Sequence, residues 1–185
     1  MGITMRLLGT LLVAGLNLIP LRPACAASAA EIDREVTAAL GTLYRSNQAA
    51  RLIGWQARAV LVFPSVGKAG FIIGGEYGNG ALRKAGMTSG YYNTAAASLG
   101  LQAGIEKFGY ALFFMTDTAL RSLDKSGGWA IGTGPRVVVV NTGLAKSLTP
   151  STLRDDVYAF IFDQKGLMIG ISLQGSKITK IKPHR

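Results

Sequence analysis

The chain has 185 residues, 49% of them hydrophobic, and its 20 Lys and Arg against 10 Asp and Glu give a formal net charge of +10. A single cysteine and a single histidine exclude a disulfide framework and a metal centre built from His and Cys ligands. The positive charge favours an anionic partner, but the chain has no compact Lys/Arg run with interleaved aromatic residues, which argues against nucleic acid.

The first 26 residues predict an export signal. Arg6 supplies a positive charge, Leu7–Ile19 form an apolar run too short to span a bilayer comfortably, and Ala24-Cys25-Ala26 match a signal-peptidase site. We therefore expect residues 27–185 to form a single exported, periplasmic domain, in which 18 cationic and 10 acidic residues leave a net charge of +8.

Two alternatives to a cleaved signal remain open. The segment could stay uncleaved as a membrane anchor, or Cys25 could be acylated as in a bacterial lipoprotein. Arg22 argues against the lipoprotein, because such signals usually have Leu three residues before the cysteine. With soluble export, Cys25 leaves with the signal and the mature domain must rely on its core without disulfides.

Two helices are predicted at the start of the mature chain. Ser28 and Glu31 have the spacing of a capping box, and apolar residues then recur at helical spacing, which predicts a helix over Ala29–Arg45. A second helical piece is predicted over Gln48–Ile53. The apolar stripe of the first helix could lie on a membrane, but its mixed-charge polar face favours packing on the domain.

After Arg58 the pattern changes to short β-rich runs separated by turn residues. Tight turns are predicted at Asn79-Gly80 and at Asp163–Gly166, and a short helix over Thr116–Asp124 with Thr116 or Asp117 as its cap. The expected strands are Val60–Phe63, Phe71–Ile73, Tyr91–Leu101, Tyr110–Met115, Val137–Val140, Val157–Phe162 and Leu167–Leu173.

Glycines spaced by four residues indicate a tightly curved sheet. Such pairs occur at Gly70, Gly74 and Gly78, at Gly86 and Gly90, and at Gly100 and Gly104. In a strand this spacing keeps glycines on one face, and removing side chains from one face lets a sheet coil. The expected fold is therefore α+β, an N-terminal helix packed on a strongly curved, glycine-rich antiparallel sheet with a barrel-like core.

The residues offer little catalytic chemistry. His184 is the penultimate residue, where a catalytic histidine lacks support, and the adjacent Asp155 and Asp156 are expected in a loop or at a helix start. Glu76 and Glu106 are the one pair that could act as glycosidase-type acids, which keeps a carboxylate-based hydrolase open as an alternative. We expect a protein that is not an enzyme and needs no cofactor or metal.

Several segments together resemble the SYLF domain, also called the Ysc84-type actin-binding domain. The similarity runs from about Leu52 to Ile178, and the ordered series is more specific than any one segment. The segments are AVLVFPSV at 59–66, KAGF at 68–71, GGEYGNG at 74–80, SLGLQAG at 98–104, FMT at 114–116, KGL at 165–167 and GISL at 170–173.

The resemblance implies lipid binding. Eukaryotic members bind phosphoinositides and other anionic membranes, for which an N-terminal amphipathic segment is thought to make the contact, and some yeast members bind actin. Bacterial members usually carry an export signal and have no assigned activity. An exported protein has no actin partner, so the actin label is expected to apply to the family and not to this chain.

We therefore expect non-catalytic binding of anionic phospholipid, with phosphoinositide-like head groups, at the envelope surface. An envelope structural or assembly protein that binds another protein or a polysaccharide is the alternative. Basic residues beside the glycine-rich 75–80 segment and in the C-terminal strand are the candidate head-group contacts. They are Lys68, Arg83, Lys84, Lys107, Lys177, Lys180 and Lys182. The C-terminal lysines could equally protect an edge strand from aggregation.

Overall fold

The computed structural model describes residues 27–70, 73–99, 104–149, 151–165 and 172–184. Its helices are α1 (Ala29–Ser46), α2 (Gln48–Gln56), α3 (Asp117–Leu120), which continues as a 3-10 turn over Arg121–Asp124, and α4 (Thr142–Ser147). Its strands are β1 (Ala59–Gly70), β2 (Ile73–Lys84), β3 (Met87–Leu99), β4 (Gly104–Phe114), β5 (Trp129–Ala130), β6 (Val137–Val139), β7 (Val157–Lys165) and β8 (Lys177–Ile181).

The two N-terminal helices begin at side-chain caps. Ser28 Oγ accepts from the Glu31 N–H at 3.2 Å, and Asn47 Oδ1 accepts from the Ala50 N–H at 3.0 Å. The apolar stripe of α1 is buried against the sheet, which confirms that this helix packs on the domain. The second helix extends to Gln56, three residues beyond the predicted end.

The sheet curls into a half-barrel. Its order is β5-β8-β3-β2-β1-β4-β7-β6, antiparallel except for the parallel pair β6–β7. Tyr110 on β4 donates a 2.7 Å hydrogen bond to Thr94 on β3, although two strands separate them in the sheet. The rings of Phe114 on β4 and Trp129 on β5 lie 5.8 Å apart across four intervening strands. Such contacts require these side chains to face the inside of a strongly curved sheet, as predicted.

Two hydrophobic clusters follow from this shape. One fills the inside of the half-barrel with aromatic residues of β1 and β4 and with Trp129. The other lies between the outer face of the sheet and helices α1 and α2. Among the described residues, no helix combines the length and the hydropathy that a bilayer span requires.

Glycines permit the bend where β1 bulges between Val62 and Ser65. A Cβ on Gly80 would overlap the Val62 carbonyl oxygen, and a Cβ on Gly78 would lie 2.7 Å from the Ser65 carbonyl oxygen. Gly78 and Gly80 are therefore both needed for the close approach of β1 to β2. The sequence analysis explained the curvature by glycines on one face of a single strand. In the structure, Gly70 lies on β1 and is paired with Gly74 on the neighbouring strand β2.

The predicted turn at Asn79-Gly80 is wrong. Both residues lie inside β2, which continues because β1 and β3 pair with it on both sides. The turn between β2 and β3 is Ala85-Gly86, whose φ angles of 49° and 80° are the left-handed pair of a tight hairpin. Arg83 and Lys84 consequently stand directly before this turn.

The predicted turn at Asp163–Gly166 is wrong for Asp163–Lys165, which lie within β7 with positive φ at Asp163, and Gly166 lies outside the described residues. Thr116 caps α3 as predicted, through a 3.1 Å bond from the Ala119 N–H. In the predicted strand Val137–Val140, Val137–Val139 form the edge strand β6, which is partly buried with Val139 exposed, and the buried Val140 follows it. The predicted signal segment 1–26 with Cys25, and 166–171 of the predicted last hairpin, lie outside the described residues.

Candidate functional site

Arg83 ties the sheet to α1. Its guanidinium lies 3.6 Å from Asp33 Oδ1 and donates to the Asp33 carbonyl oxygen at 2.9 Å and to Thr37 Oγ1 at 2.7 Å. Asp33 also accepts from the hydroxyls of Thr88 at 2.6 Å and Tyr91 at 2.9 Å, and burial together with the Asp33 carboxylate raises the pKa of Tyr91. These contacts occupy Arg83 within the fold.

Lys68 points into the half-barrel and is also engaged. Its Nζ lies 3.1 Å from Glu76 Oε1, and its side chain is only 13% exposed. Glu76 on β2 and Glu106 on β4 stand in register on either side of Lys68. Gln164 Nε2 donates to Glu106 Oε1 at 2.8 Å, whereas Glu106 Oε2 is buried and has no hydrogen-bond partner among the described residues. The four residues form a polar row in which Glu76 and Glu106 are buried, Lys68 is partly buried and Gln164 is exposed, and Lys68 is not a free surface cation.

The same row bears on the hydrolase alternative. The strands of Glu76 and Glu106 both border β1, so the two carboxylates share one face of the sheet. However, Lys68 stands between them, and both glutamates are buried. A pair of glycosidase acids needs a cleft between its carboxylates that admits a sugar and water. Here a lysine side chain occupies that position.

Lys107 is exposed but shares its surroundings with acids. It lines a shallow groove of about 330 Å³ between α1 and the sheet, together with Glu35, Asp163 and Lys165. Two carboxylates in the same groove offset the positive potential of the two lysines. Lys107 is therefore a weaker candidate for binding an anion than its exposure alone indicates.

Lys84, Lys180 and Lys182 lie at one end of the sheet. Lys84 is opposite Met87 at the start of β3, and Lys180 is opposite Tyr92, five residues further along the same strand, which is about 16 Å at 3.3 Å per residue. Lys182 directly follows the end of β8 toward the same edge. All three are exposed, and no ion pair among the described residues involves them.

Lys177 lies farther from that end. It is opposite Ala95 and three positions before Lys180, an odd offset, so its side chain leaves the opposite face of β8. The structure thus brings together three of the seven predicted lysines and arginines, and it places Lys177 and Lys107 elsewhere on the surface. Only the two-residue β5 pairs with β8 on its outer side, at Ile178 and Lys177.

Trp55 is the functional candidate that the sequence reasoning missed. It is 84% exposed on α2, the largest exposed fraction among the large hydrophobic residues described, and Met87 at the β2–β3 turn is 72% exposed. Trp55, Arg58, Ala85 and Gly86 line one groove, so the tryptophan lies beside this turn. The Arg51–Trp55 spacing of four residues could have indicated their shared helix face.

We call this surface the Trp55 rim. It consists of the residues that line the two grooves beside Trp55 or flank the β2–β3 turn and carry either an exposed apolar side chain or a positive charge that no described ion pair occupies, which leaves out Arg83. They are Arg51, Trp55, Arg58, Lys84, Met87 and Lys146.

The remaining residues considered for catalysis, Asp155, Asp156 and His184, stabilise the fold. Arg136 pairs with Asp155 at 3.1 Å, and its backbone N–H donates to Asp156 at 3.1 Å, so the adjacent carboxylates hold a loop before β7. The His184 carbonyl oxygen accepts from the Ala29 N–H at 3.0 Å, which joins the end of the chain to the start of α1. Across the described ranges, no three His, Cys, Asp or Glu residues are arranged to hold a metal ion.

Comparison with known proteins gives one match. The family model described as Ysc84, Las17-binding protein actin regulator, matches residues 95–183. This segment begins in β3 and ends after β8, and therefore includes most of the inner wall of the half-barrel. No curated protein matches the chain.

Proposed function

Because residues 95–183 place this chain in the Ysc84 (SYLF) family, we propose that it is a non-catalytic domain that binds anionic phospholipid at the surface of a bacterial envelope membrane. The proposal includes export, for which the signal pattern of residues 1–26 is the support. Mass spectrometry of the mature N-terminus tests that part, since it distinguishes cleavage before Ala27 from acylation at Cys25.

The observation that carries the proposal is the group of unpaired cations at one end of the sheet. Lys84, Lys180 and Lys182 are exposed there, and the described ion pairs leave them free to meet an anion. A cation near an anionic membrane contributes on the order of 1 kcal/mol. A rigid sheet that presents several such cations together therefore suits a head-group surface better than a single deep ligand pocket.

The family description supports binding and not catalysis for this chain. This description names a protein that binds Las17 and regulates actin. Export removes the chain from any actin, so we propose that the membrane is the partner that this domain retains. Lys68, which separates the two inner glutamates, supports the non-catalytic reading because it occupies the space that a substrate would need.

Vesicle co-sedimentation tests the proposal. We expect the protein to pellet with vesicles that mix phosphatidylglycerol and phosphatidylcholine, to stay in solution with pure phosphatidylcholine, and to lose binding as salt rises, because salt screens exposed charges. Equal binding to neutral vesicles would remove the electrostatic mechanism. No vesicle binding together with a stoichiometric envelope protein partner would establish the assembly alternative instead.

Charge reversal at the same end of the sheet sharpens the test. Lys84→Glu, Lys180→Glu and Lys182→Glu together should weaken binding to anionic vesicles by roughly 100-fold, at about 1 kcal/mol for each cation removed. Arg34→Glu is the matched control, since Arg34 is exposed on α1 among residues of mixed charge. If the control weakens binding as much as the triple variant, net charge alone governs the interaction and this end of the sheet has no special role.

A further inference from the structure

We propose that the Trp55 rim is the face that enters the membrane interface, with Trp55 inserted among the lipid head groups and the surrounding cations in contact with lipid phosphates. This inference rests on the proposed function, that the domain binds anionic phospholipid. It adds the orientation of the domain on the membrane and the residue that penetrates it.

The Trp55 side chain on α2 does not contribute to the hydrophobic core. This helix buries Ala49, Ala50 and Ile53 against the domain, whereas Trp55 points away with 84% of its surface exposed. Tryptophan combines a large apolar ring with one polar N–H, and this combination favours the boundary between lipid chains and water. Met87, 72% exposed, directly follows the Ala85-Gly86 turn that lines the neighbouring groove, and it adds a second exposed apolar side chain beside this turn.

The charges around Trp55 are of one sign. A groove of about 520 Å³ on one side is lined by Arg51 and Lys146, and a groove of about 500 Å³ on the other side by Arg58 and by Arg83, whose charge is already paired with Asp33. No described acidic residue lines either groove. The groove at Lys107, by contrast, contains Glu35 and Asp163. The Trp55 rim is thus complementary to an anionic surface, and the Lys107 groove is not.

The fold holds this face in place. A Cβ on Gly54 would overlap the Tyr44 hydroxyl, so the glycine before Trp55 lets α2 lie directly against the α1 tyrosine. Burial raises the pKa of Tyr44, which keeps its ring uncharged at this contact. Since the apolar stripe of α1 is already buried, that helix has no apolar face left for a membrane. The exposed ring of α2 is the available alternative.

The two tryptophans of the chain allow a direct optical test. Trp55 is exposed, whereas Trp129 is fully buried inside the half-barrel and donates its Nε1–H to the Thr133 carbonyl oxygen at 2.7 Å. We expect anionic vesicles of phosphatidylglycerol and phosphatidylcholine to shift the emission of the wild-type protein to the blue. Brominated acyl chains should quench it. The Trp55→Phe variant, which retains Trp129 alone, should show neither change.

Two exposed aromatic residues distinguish insertion of the Trp55 side chain from nonspecific adsorption of the protein to the membrane. Trp55→Ala should weaken binding to anionic vesicles roughly tenfold or more, because it removes a large apolar side chain from the interface. Tyr77→Ala is the matched control. Tyr77 is 56% exposed on β2, opposite Gly67 and Ala95 and away from the turn, and its loss should leave the affinity unchanged.

The outcomes distinguish this inference from the function on which it rests. If the wild-type protein does not bind anionic vesicles, the proposed function fails and the orientation fails with it. If the wild-type protein binds but Trp55→Ala binds equally well, or the emission is unchanged on binding, the domain meets the membrane through another face. Equal losses for Trp55→Ala and Tyr77→Ala would likewise overturn the assignment of this rim.

Discussion

Replacing Lys68 with Met should destabilise the domain without weakening its membrane binding. Lys68 is the only cation beside Glu76 and Glu106 in the described polar row, at 3.1 Å from Glu76 Oε1. Methionine fills a similar volume but leaves two buried carboxylates on one face of the sheet. Removing one partner of a buried ion pair lowers the free energy of unfolding by about 3–5 kcal/mol. This loss is a large part of the roughly 5–15 kcal/mol that stabilises a typical domain.

Urea unfolding followed by circular dichroism measures this loss. We expect Lys68→Met to lower the free energy of unfolding by about 3–5 kcal/mol, while its anionic-vesicle binding in native buffer stays at the wild-type level. The control is Lys84→Met, an exposed site at the β2–β3 turn, which should stay within about 0.5 kcal/mol.

A compensating variant tests the cause. Lys68→Met combined with Glu76→Leu and Glu106→Leu removes all three ionisable groups of the row and should recover most of the lost stability, because apolar replacement of buried ions is often neutral or stabilising. If Lys68→Met alone loses less than about 1 kcal/mol, the two glutamates do not depend on Lys68, and this account of the row is refuted.

Three further outcomes follow from single contacts. Gly80→Ala should lower the free energy of unfolding by about 1–3 kcal/mol in the same urea assay, because its Cβ overlaps the Val62 carbonyl oxygen; an unchanged midpoint would contradict the close approach of β1 and β2. Ser28→Ala should cost about 1 kcal/mol by loss of the α1 cap, whereas Ser28→Asp should retain most of it. Burial raises the pKa of Tyr110. Above about pH 10 the unfolded chain therefore loses a phenol proton that the folded protein keeps, and stability should fall as pH rises. An ultraviolet titration in which all six tyrosines ionise together near pH 10 while the protein remains folded would contradict this burial.

Most of the fold could be predicted from the sequence, because the patterns that indicate its helices and strands are local. The Ser28 cap, the helical spacing that follows it and the β-rich runs each depend on neighbouring residues, and each marks a real element where the structure describes it, except that no strand includes residues 172–173 at the end of the predicted run Leu167–Leu173. The turns were less accessible. Asn79-Gly80 has the composition of a hairpin tip, but pairing with strands on both sides keeps these residues within β2. Tertiary pairing overrode the local preference there.

The candidate site was harder to predict from the sequence, because strand register determines which charged side chains contact each other. In the sequence, Lys68, Arg83 and Lys84 look like equivalent basic residues near a glycine-rich segment. In the sheet, register places Lys68 opposite Glu76, and α1 brings Asp33 to Arg83, so of these three only Lys84 has no carboxylate partner in the part of the chain that the structure describes. A count of positive charges contains none of this information, because it is the same whether a cation is paired or free.

Exposure of an apolar residue is hidden from sequence for the same reason, since it depends on what the fold leaves uncovered. The short α2 segment has too few turns for a strong periodic signal, and Trp55 could have belonged to either face. Once Ala50 and Ile53 are seen to take the buried face, Trp55 and Arg51 must share the other one. An apolar ring held outward beside unpaired cations does nothing for the core. Its position is therefore explained by a surface that offers both an apolar interior and negative charge, and a lipid bilayer with anionic head groups offers both.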